Sequence, residues 1–69
     1  MEFTWEDGFR IRVRARQGEV VLSANRAGLL SLAAHLTALA EEAPGSHLHY
    51  DAYNALEEPS DELIIERAE

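Results

Sequence analysis

Three potential metal ligands alternate along one short segment: His47, His49 and Asp51. Zinc accepts imidazole nitrogen and carboxylate oxygen as ligands. In an extended segment, residues two positions apart share a face and lie about 7 Å apart, so a shared ion would need favourable rotamers and a ligand from elsewhere. His35 is expected on a helix in the opposite layer, where it cannot supply that ligand. We therefore keep the three residues as candidate ligands but predict solvent-facing polar side chains, no metal and no cofactor.

The usual patterns of enzyme active sites are missing from the sequence. The chain has no cysteine, and its four glycines are scattered and form no phosphate-binding loop. None of its serines has the strand–turn–helix context of a nucleophile elbow. Acidic pairs occur at Glu57-Glu58 and Asp61-Glu62, but nothing indicates the burial that would raise a carboxyl pKa for acid catalysis. The sequence predicts a protein that is not an enzyme.

An arginine appears at every second position between residues 9 and 16, alternating with apolar residues. This period of two predicts a strand with one apolar and one charged face. The charged face is either a solvated surface, neutralised by Glu62 and Glu66 on a neighbouring strand, or a surface that binds a protein partner, since arginine is enriched among interface hot spots. A third alternative is a nucleic-acid surface, which the acidic remainder of the chain disfavours by long-range repulsion. The candidate partner-binding arginines are Arg10, Arg12 and Arg14.

A tight turn at Gln17-Gly18 predicts a hairpin with a returning strand over residues 19–24. A two-residue loop places Arg16 opposite Glu19 and Val13 opposite Leu22. Directly opposed residues share a face of the sheet. This register therefore pairs apolar with apolar residues on one face and opposite charges on the other.

The N-terminal segment leaves two arrangements open. Phe3 and Trp5 precede an Asp7-Gly8 turn and form a candidate edge strand. A two-residue turn would place both rings on the arginine side, whereas a loop one residue longer would turn them into the core.

A helix is predicted over residues 26–42, with Asn25 as its N-cap and Pro44-Gly45 as its stop. At about 100° per residue, the larger apolar side chains fall in one stripe, which we predict to face the core. Its members are Leu29, Leu32, Ala33, Leu36, Leu39, Ala40 and Ala43. The opposite side is small and sparsely charged and includes Ser31.

Two further strands are predicted, over residues 47–51 and 62–66, with Leu48 and Tyr50 inward. The acidic loop between them is expected to pack Tyr53 and Leu56 back onto the core. The expected fold is an α+β, two-layer ββαββ domain spanning residues 1–69. In it, one helix packs on a mainly antiparallel four-stranded sheet.

The 69 residues carry 6 basic and 13 acidic side chains, a net charge of −7. Such a balance disfavours nucleic acid as a partner. The chain contains no apolar run of the roughly 20 residues that a membrane span needs. The N-terminal residues lack the layout of a signal peptide, so a cytoplasmic protein is expected.

The sequence resembles the immunity protein 32 family of bacterial polymorphic toxin systems over residues 20–67. The resemblance rests on the run from Asn25 to Ala40, the Pro-Gly break, the His-Leu-His-Tyr-Asp segment, Leu-Glu-Glu at residues 56–58 and Glu-Leu-Ile-Ile-Glu at residues 62–66. It implies a small cytoplasmic protein that neutralises a toxin by binding it, without catalysis.

An acidic protein of this kind would suit a cationic partner such as the basic site of a nuclease, because complementary charge speeds association. The candidate partner-binding carboxylates are Asp51, Glu57, Glu58 and Asp61. The alternative hypothesis is a homodimeric structural or regulatory module that self-associates through its helix or its arginines.

Overall fold

The structure, a computed structural model, describes residues 3–69, so expectations that concern Met1 and Glu2 lie outside it. The elements follow the order β1 (Ile11–Arg16), β2 (Glu19–Ala24), α1 (Arg26–Ala40), β3 (His47–Tyr50) and β4 (Leu63–Glu66). The α+β class and the ββαββ order are therefore confirmed.

The prediction of one four-stranded sheet is wrong. The strands form two separate antiparallel pairs, β1 with β2 and β3 with β4. The free edge of β1 is instead occupied by the loop that precedes β4. The Glu57 N–H donates to the Ile11 carbonyl and the Asp61 N–H donates to the Val13 carbonyl, both at 2.8 Å. With that edge filled, no strand can add to it.

The hairpin of β1 and β2 has the predicted register, with Arg16 opposite Glu19 and Val13 opposite Leu22. Gln17 and Gly18 both adopt positive φ angles, +49° and +83°. Two successive left-handed residues are what a two-residue hairpin loop requires for its twist to match that of the strands.

The N-terminal segment packs the rings of Trp5 and Phe9 against the core, whereas Phe3 stays 37% exposed. Residues 3–10 contain no strand, and a turn at Asp7-Gly8 closes with a hydrogen bond from the Phe9 N–H to the Glu6 carbonyl. Trp5 is half-buried and stacks on Phe9 at 4.3 Å between ring centroids, and Phe3 meets the His35 ring edge-on at 4.9 Å. This contact with His35 decides between the two arrangements that the sequence left open.

Asn25 caps α1 as predicted and also ties the helix to the preceding turn. Its Oδ1 accepts from the backbone N–H groups of Gly28 at 2.8 Å and Arg10 at 3.0 Å, and its Nδ2 donates to the Gly8 carbonyl. The helix ends at Ala40, two residues before the predicted end. There the Arg67 guanidinium donates to the Ala40 and Glu42 carbonyls.

The predicted core stripe of α1 is wrong in its orientation. The buried helix residues are Gly28, Ser31, Leu32, His35 and Leu39. Only the two leucines among them belong to the predicted stripe. Leu29 and Leu36, which do belong to it, are 53% and 48% exposed. The helix is thus rotated by about one residue, roughly 100°.

Polar and small residues set this rotation. Gly28 lies so close to the hairpin that a Cβ atom there would be 2.7 Å from the Arg10 carbonyl oxygen. The Ser31 hydroxyl accepts from the Glu6 N–H at 2.9 Å, and His35 bonds both Tyr50 and the Thr4 carbonyl. These contacts hold the glycine, serine and histidine side inward, against the apolar pattern of the helix.

The core is built from one strand of each pair, β1 and β3, together with the helix and one loop residue. Its buried apolar members are Ile11, Val13, Leu32, Leu39, Leu48, Tyr50 and Leu56. Leu48, Tyr50 and Leu56 confirm the sequence prediction. Tyr53 does not, because it is 97% exposed. Within residues 3–69 no helix has the length and apolar character needed to span a bilayer.

Candidate functional site

The acidic loop, residues 51–62, is a surface on which carboxylates cluster. It contains five carboxylates and no basic residue. The loop leaves β3, buries Leu56 to 5% exposure in the core and then follows the free edge of β1. Some of its carboxylates accept hydrogen bonds or form ion pairs that hold the loop in place, and the others face outward.

The first half of the loop is a hydrogen-bonded turn around Asp51 and Asn54. The Asp51 Oδ1 accepts from the backbone N–H groups of Tyr53 at 2.9 Å and Asn54 at 3.1 Å. The Asn54 side chain accepts from the Asp51 N–H and donates to the His49 carbonyl, both at 2.9 Å. This arrangement is an Asx turn, and it holds the Tyr53 backbone in place while the ring projects into solvent.

The second half of the loop acts as a substitute strand beside β1. The Ser60 hydroxyl accepts from the Val13 N–H at 3.2 Å, and the Asp61 Oδ2 accepts from the Ala15 N–H at 2.7 Å. These side-chain acceptors alternate with the two backbone bonds to β1 carbonyls. Unpaired donors and acceptors on a strand edge favour aggregation, so the loop both protects β1 and becomes rigid itself.

Glu57 forms ion pairs with two of the candidate arginines. Its two carboxylate oxygens lie 2.7 Å from the Arg10 Nε and 3.4 Å from the Arg12 Nη2. The hydrogen bond from Arg10 lowers the pKa of Glu57, and the same bond raises the pKa of Arg10. This pair is largely exposed, so it orients the loop more than it stabilises the fold.

The expectation that Glu62 and Glu66 neutralise Arg12 and Arg14 is wrong. The strand that carries Glu66 pairs with β3, where Glu66 lies opposite His47. Neither glutamate makes an ion pair with a residue among 3–69, and Arg14 makes none either. Among the candidate partner-binding arginines, Arg14 is therefore the exposed one that is left unpaired by residues 3–69.

The candidate partner-binding carboxylates thus differ in their surroundings. Asp51 and Asp61 accept backbone hydrogen bonds, and Glu57 binds the two arginines. Glu58 is exposed and has no hydrogen bond or ion pair within the described residues, and the same is true of Glu62. The residue that sequence reasoning misplaced is Tyr53. The Asp-x-x-Asn spacing of an Asx turn was the available signal that the intervening ring lies on a turn.

The histidines of β3 lie side by side at the surface. His47 and His49 are exposed, with ring centroids 4.9 Å apart. The Asp51 carboxylate, one residue after the end of β3, accepts the hydrogen bonds of the turn described above. Across residues 3–69, no group of three or more histidine and carboxylate side chains is placed to hold an ion.

His35 has a structural position at the centre of the molecule, where it is 1% exposed. Its Nε2 lies 2.9 Å from the Thr4 carbonyl oxygen, and its Nδ1 lies 2.9 Å from the Tyr50 hydroxyl. Since a carbonyl oxygen only accepts, Nε2 carries the hydrogen, and in the neutral ring Nδ1 accepts from Tyr50. Burial raises the pKa of Tyr50, which keeps that donor in its protonated form.

Comparison with known proteins now adds to this geometry. Residues 19–68 match the family model of immunity protein 32. The chain belongs to the immunity protein 32 family. The matched region begins with β2, includes the whole acidic loop and ends after β4, so the resemblance predicted from the sequence is confirmed. No curated protein and no solved structure gives a significant match.

Proposed function

We propose that this protein neutralises a cognate bacterial toxin by binding it directly, without catalysis, in the cytoplasm of the cell that produces both. Membership of the immunity protein 32 family supports an immunity role and a protein partner. We place the toxin contact on the acidic loop. The observation that carries this choice is a rigid loop that presents Tyr53 at 97% exposure beside carboxylates.

A tyrosine held in this way is suited to binding. Tyrosine is among the residues that contribute most to interface affinity, because its ring buries a large area with few rotatable bonds. The Tyr53 N–H is bonded to the Asp51 carboxylate, so little backbone freedom remains to be lost in the complex. Preorganisation of this kind lowers the entropic cost of association.

The charges of the loop favour a cationic partner. Glu58 and Glu62 are exposed, and the loop carries no basic residue that would neutralise them. Complementary charge accelerates association and makes it dependent on salt. A nuclease toxin, whose active site must be positively charged to hold phosphates, is the partner class that fits best.

The loop carboxylates fall into two roles under this proposal. Glu58 and Glu62 contact the toxin, whereas Asp51, Glu57 and Asp61 hold the loop in the conformation that binds. Neutralising the second group would change the conformation of the loop, so a loss of binding in such variants would not show that these carboxylates contact the toxin. A binding test therefore needs Glu58 and Glu62, with equally exposed glutamates elsewhere as the control.

The experiment is toxin protection in a bacterial host. Candidate partners are nuclease toxin domains sought among the neighbouring genes, and each is expressed with the wild-type protein, with Tyr53→Ala, or with Glu58→Gln and Glu62→Gln combined. We expect wild type to protect and each loop variant to protect less, with the dissociation constant raised at least about tenfold for Tyr53→Ala.

The matched control replaces Glu19 and Glu66, which are also exposed, by glutamine and removes the same two charges. We expect this control to protect like wild type. Equal protection and unchanged affinity in the loop variants would refute the assignment of the acidic loop. Failure of the wild-type protein to bind the toxin would refute the function.

A further inference from the structure

The rotation of α1 leaves its most apolar face in solvent. We call this face the leucine stripe: Leu29, Ala33, Leu36 and Ala40. All four residues are exposed, and the two leucines retain about half of their surface. Isolated exposed leucines are ordinary, but a contiguous apolar face marks an interaction surface.

The charges at the two ends of the stripe are opposite in sign and reversed with respect to the helix dipole. Arg26 is in the first turn, where the dipole favours an acid, and Glu41 follows the last turn, where it favours a base. The first turn contains no acidic residue and the last turn no basic one. Neither Arg26 nor Glu41 forms an ion pair within residues 3–69.

These charges complement each other across a two-fold axis. Counting about 100° per residue, Arg26 and Glu41 lie on the same flank of the stripe. In an antiparallel helix pair, identical flanks meet, so each arginine approaches the glutamate of the other copy. A symmetric dimer needs one self-complementary patch of this kind.

The side-chain sizes fit the same arrangement. If the two-fold axis lies between Ala33 and Leu36, each leucine of one copy meets an alanine of the other: Leu36 meets Ala33, and Leu29 meets Ala40. Large residues then pack against small ones, as close helix packing requires. The same register brings Arg26 within about 3 Å, along the axis, of the level of Glu41 in the other copy.

We propose that the leucine stripe is a homodimer interface, formed by antiparallel pairing of α1 from two copies. This surface is separate from the acidic loop, so dimerisation and toxin binding are independent claims. An interface of one helix from each copy is small, and we expect a reversible, concentration-dependent dimer.

Sedimentation velocity from roughly 10 µM to 1 mM, a range suited to a small interface, tests the proposal. We expect the wild-type protein to shift from monomer to dimer and Leu36→Glu to remain monomeric. Ala34→Glu is the control, because Ala34 is exposed on the same helix but lies roughly 130° around it from the centre of the stripe, and it should dimerise normally. A wild-type protein that stays monomeric, or equal effects of the two variants, would overturn the proposal.

A charge exchange tests the antiparallel geometry and does not depend on whether Leu36→Glu folds. We expect Arg26→Glu and Glu41→Arg each to weaken the dimer at least about threefold, because each change removes both symmetry-related ion pairs and exposed pairs contribute little individually. The variant that carries both changes should recover wild-type association. Absence of recovery would contradict antiparallel pairing.

Discussion

Tyr50→Phe is the substitution that most cleanly tests the role of the buried histidine. It removes one hydroxyl and keeps the ring that packs in the core. The Nδ1 of His35 then loses its only donor, in a side chain that is 1% exposed. The other tautomer of His35 does not restore the lost hydrogen bond without losing another, because Nε2 would then face the Thr4 carbonyl without a hydrogen.

The expected loss of stability follows from the His35 Nδ1, which is left without a hydrogen-bond partner. Leaving one buried polar atom without a partner costs about 1–3 kcal/mol. For a chain of 69 residues, the total free energy of unfolding is roughly 3–10 kcal/mol. The variant should therefore lose a substantial fraction of its stability, with a fall in Tm of roughly 4–8 °C per kcal/mol.

Urea denaturation followed by far-UV circular dichroism measures this loss. The m-value should be unchanged, since the exposed area on unfolding is the same. Tyr53→Phe is the control, because that hydroxyl sits on a 97% exposed residue and its removal should change stability by less than about 0.5 kcal/mol. Equal stabilities of the two variants would refute the reasoning.

Three further substitutions test the anchors of the fold. Gly28→Ala should lower Tm despite the higher helix propensity of alanine, because the new Cβ would lie 2.7 Å from the Arg10 carbonyl oxygen; a higher Tm would contradict this. Asn25→Ala should reduce the free energy of unfolding by about 1–2 kcal/mol in urea, since the cap and the Arg10 N–H both lose their acceptor. Glu57→Gln should flatten the acid limb of stability against pH. The folded-state pKa of Glu57 is lowered, so its contribution is complete above the ordinary glutamate pKa and disappears as pH falls through the lower value. Glu58→Gln should leave that limb unchanged, and an identical acid limb in both variants would argue against the Arg10 contact.

The features that the sequence predicted correctly are governed by near neighbours. The hairpin register depends on a two-residue turn and on alternation within a dozen residues. The Asn25 cap depends on the helix that starts directly after it. Leu48 and Tyr50 alternate with polar residues, so their inward direction follows from the period of a strand.

The wrong predictions, of a single sheet and of the buried side of the helix, involve contacts between distant parts of the chain. The two sheets stay apart because the loop before β4 fills the edge of β1, through pairs such as Asp61 and Val13. The helix turns because Ser31 and His35 find partners on the N-terminal segment and on β3. A polar helix residue is predicted to be exposed as long as its hydrogen-bond partner on a distant segment is unknown.

The acidic loop could be chosen as the candidate site from the sequence, but the different surroundings of its carboxylates could not be predicted. Charge alone identified the acidic loop, because the carboxylates are clustered there. Whether a carboxylate faces outward depends on which backbone donors lie beside it, as for Asp61 and the Ala15 N–H. The exposure of Tyr53 follows from the turn that Asp51 and Asn54 form, which the apolar pattern did not reveal.

Calorimetric titration of the purified protein with a candidate nuclease toxin domain, sought among the neighbouring genes, tests the central claim most directly. We expect saturable binding of wild type, weaker binding as salt is raised, and at least about a tenfold higher dissociation constant for Tyr53→Ala. No heat of binding with wild type, or equal affinity of wild type and Tyr53→Ala, would contradict the account.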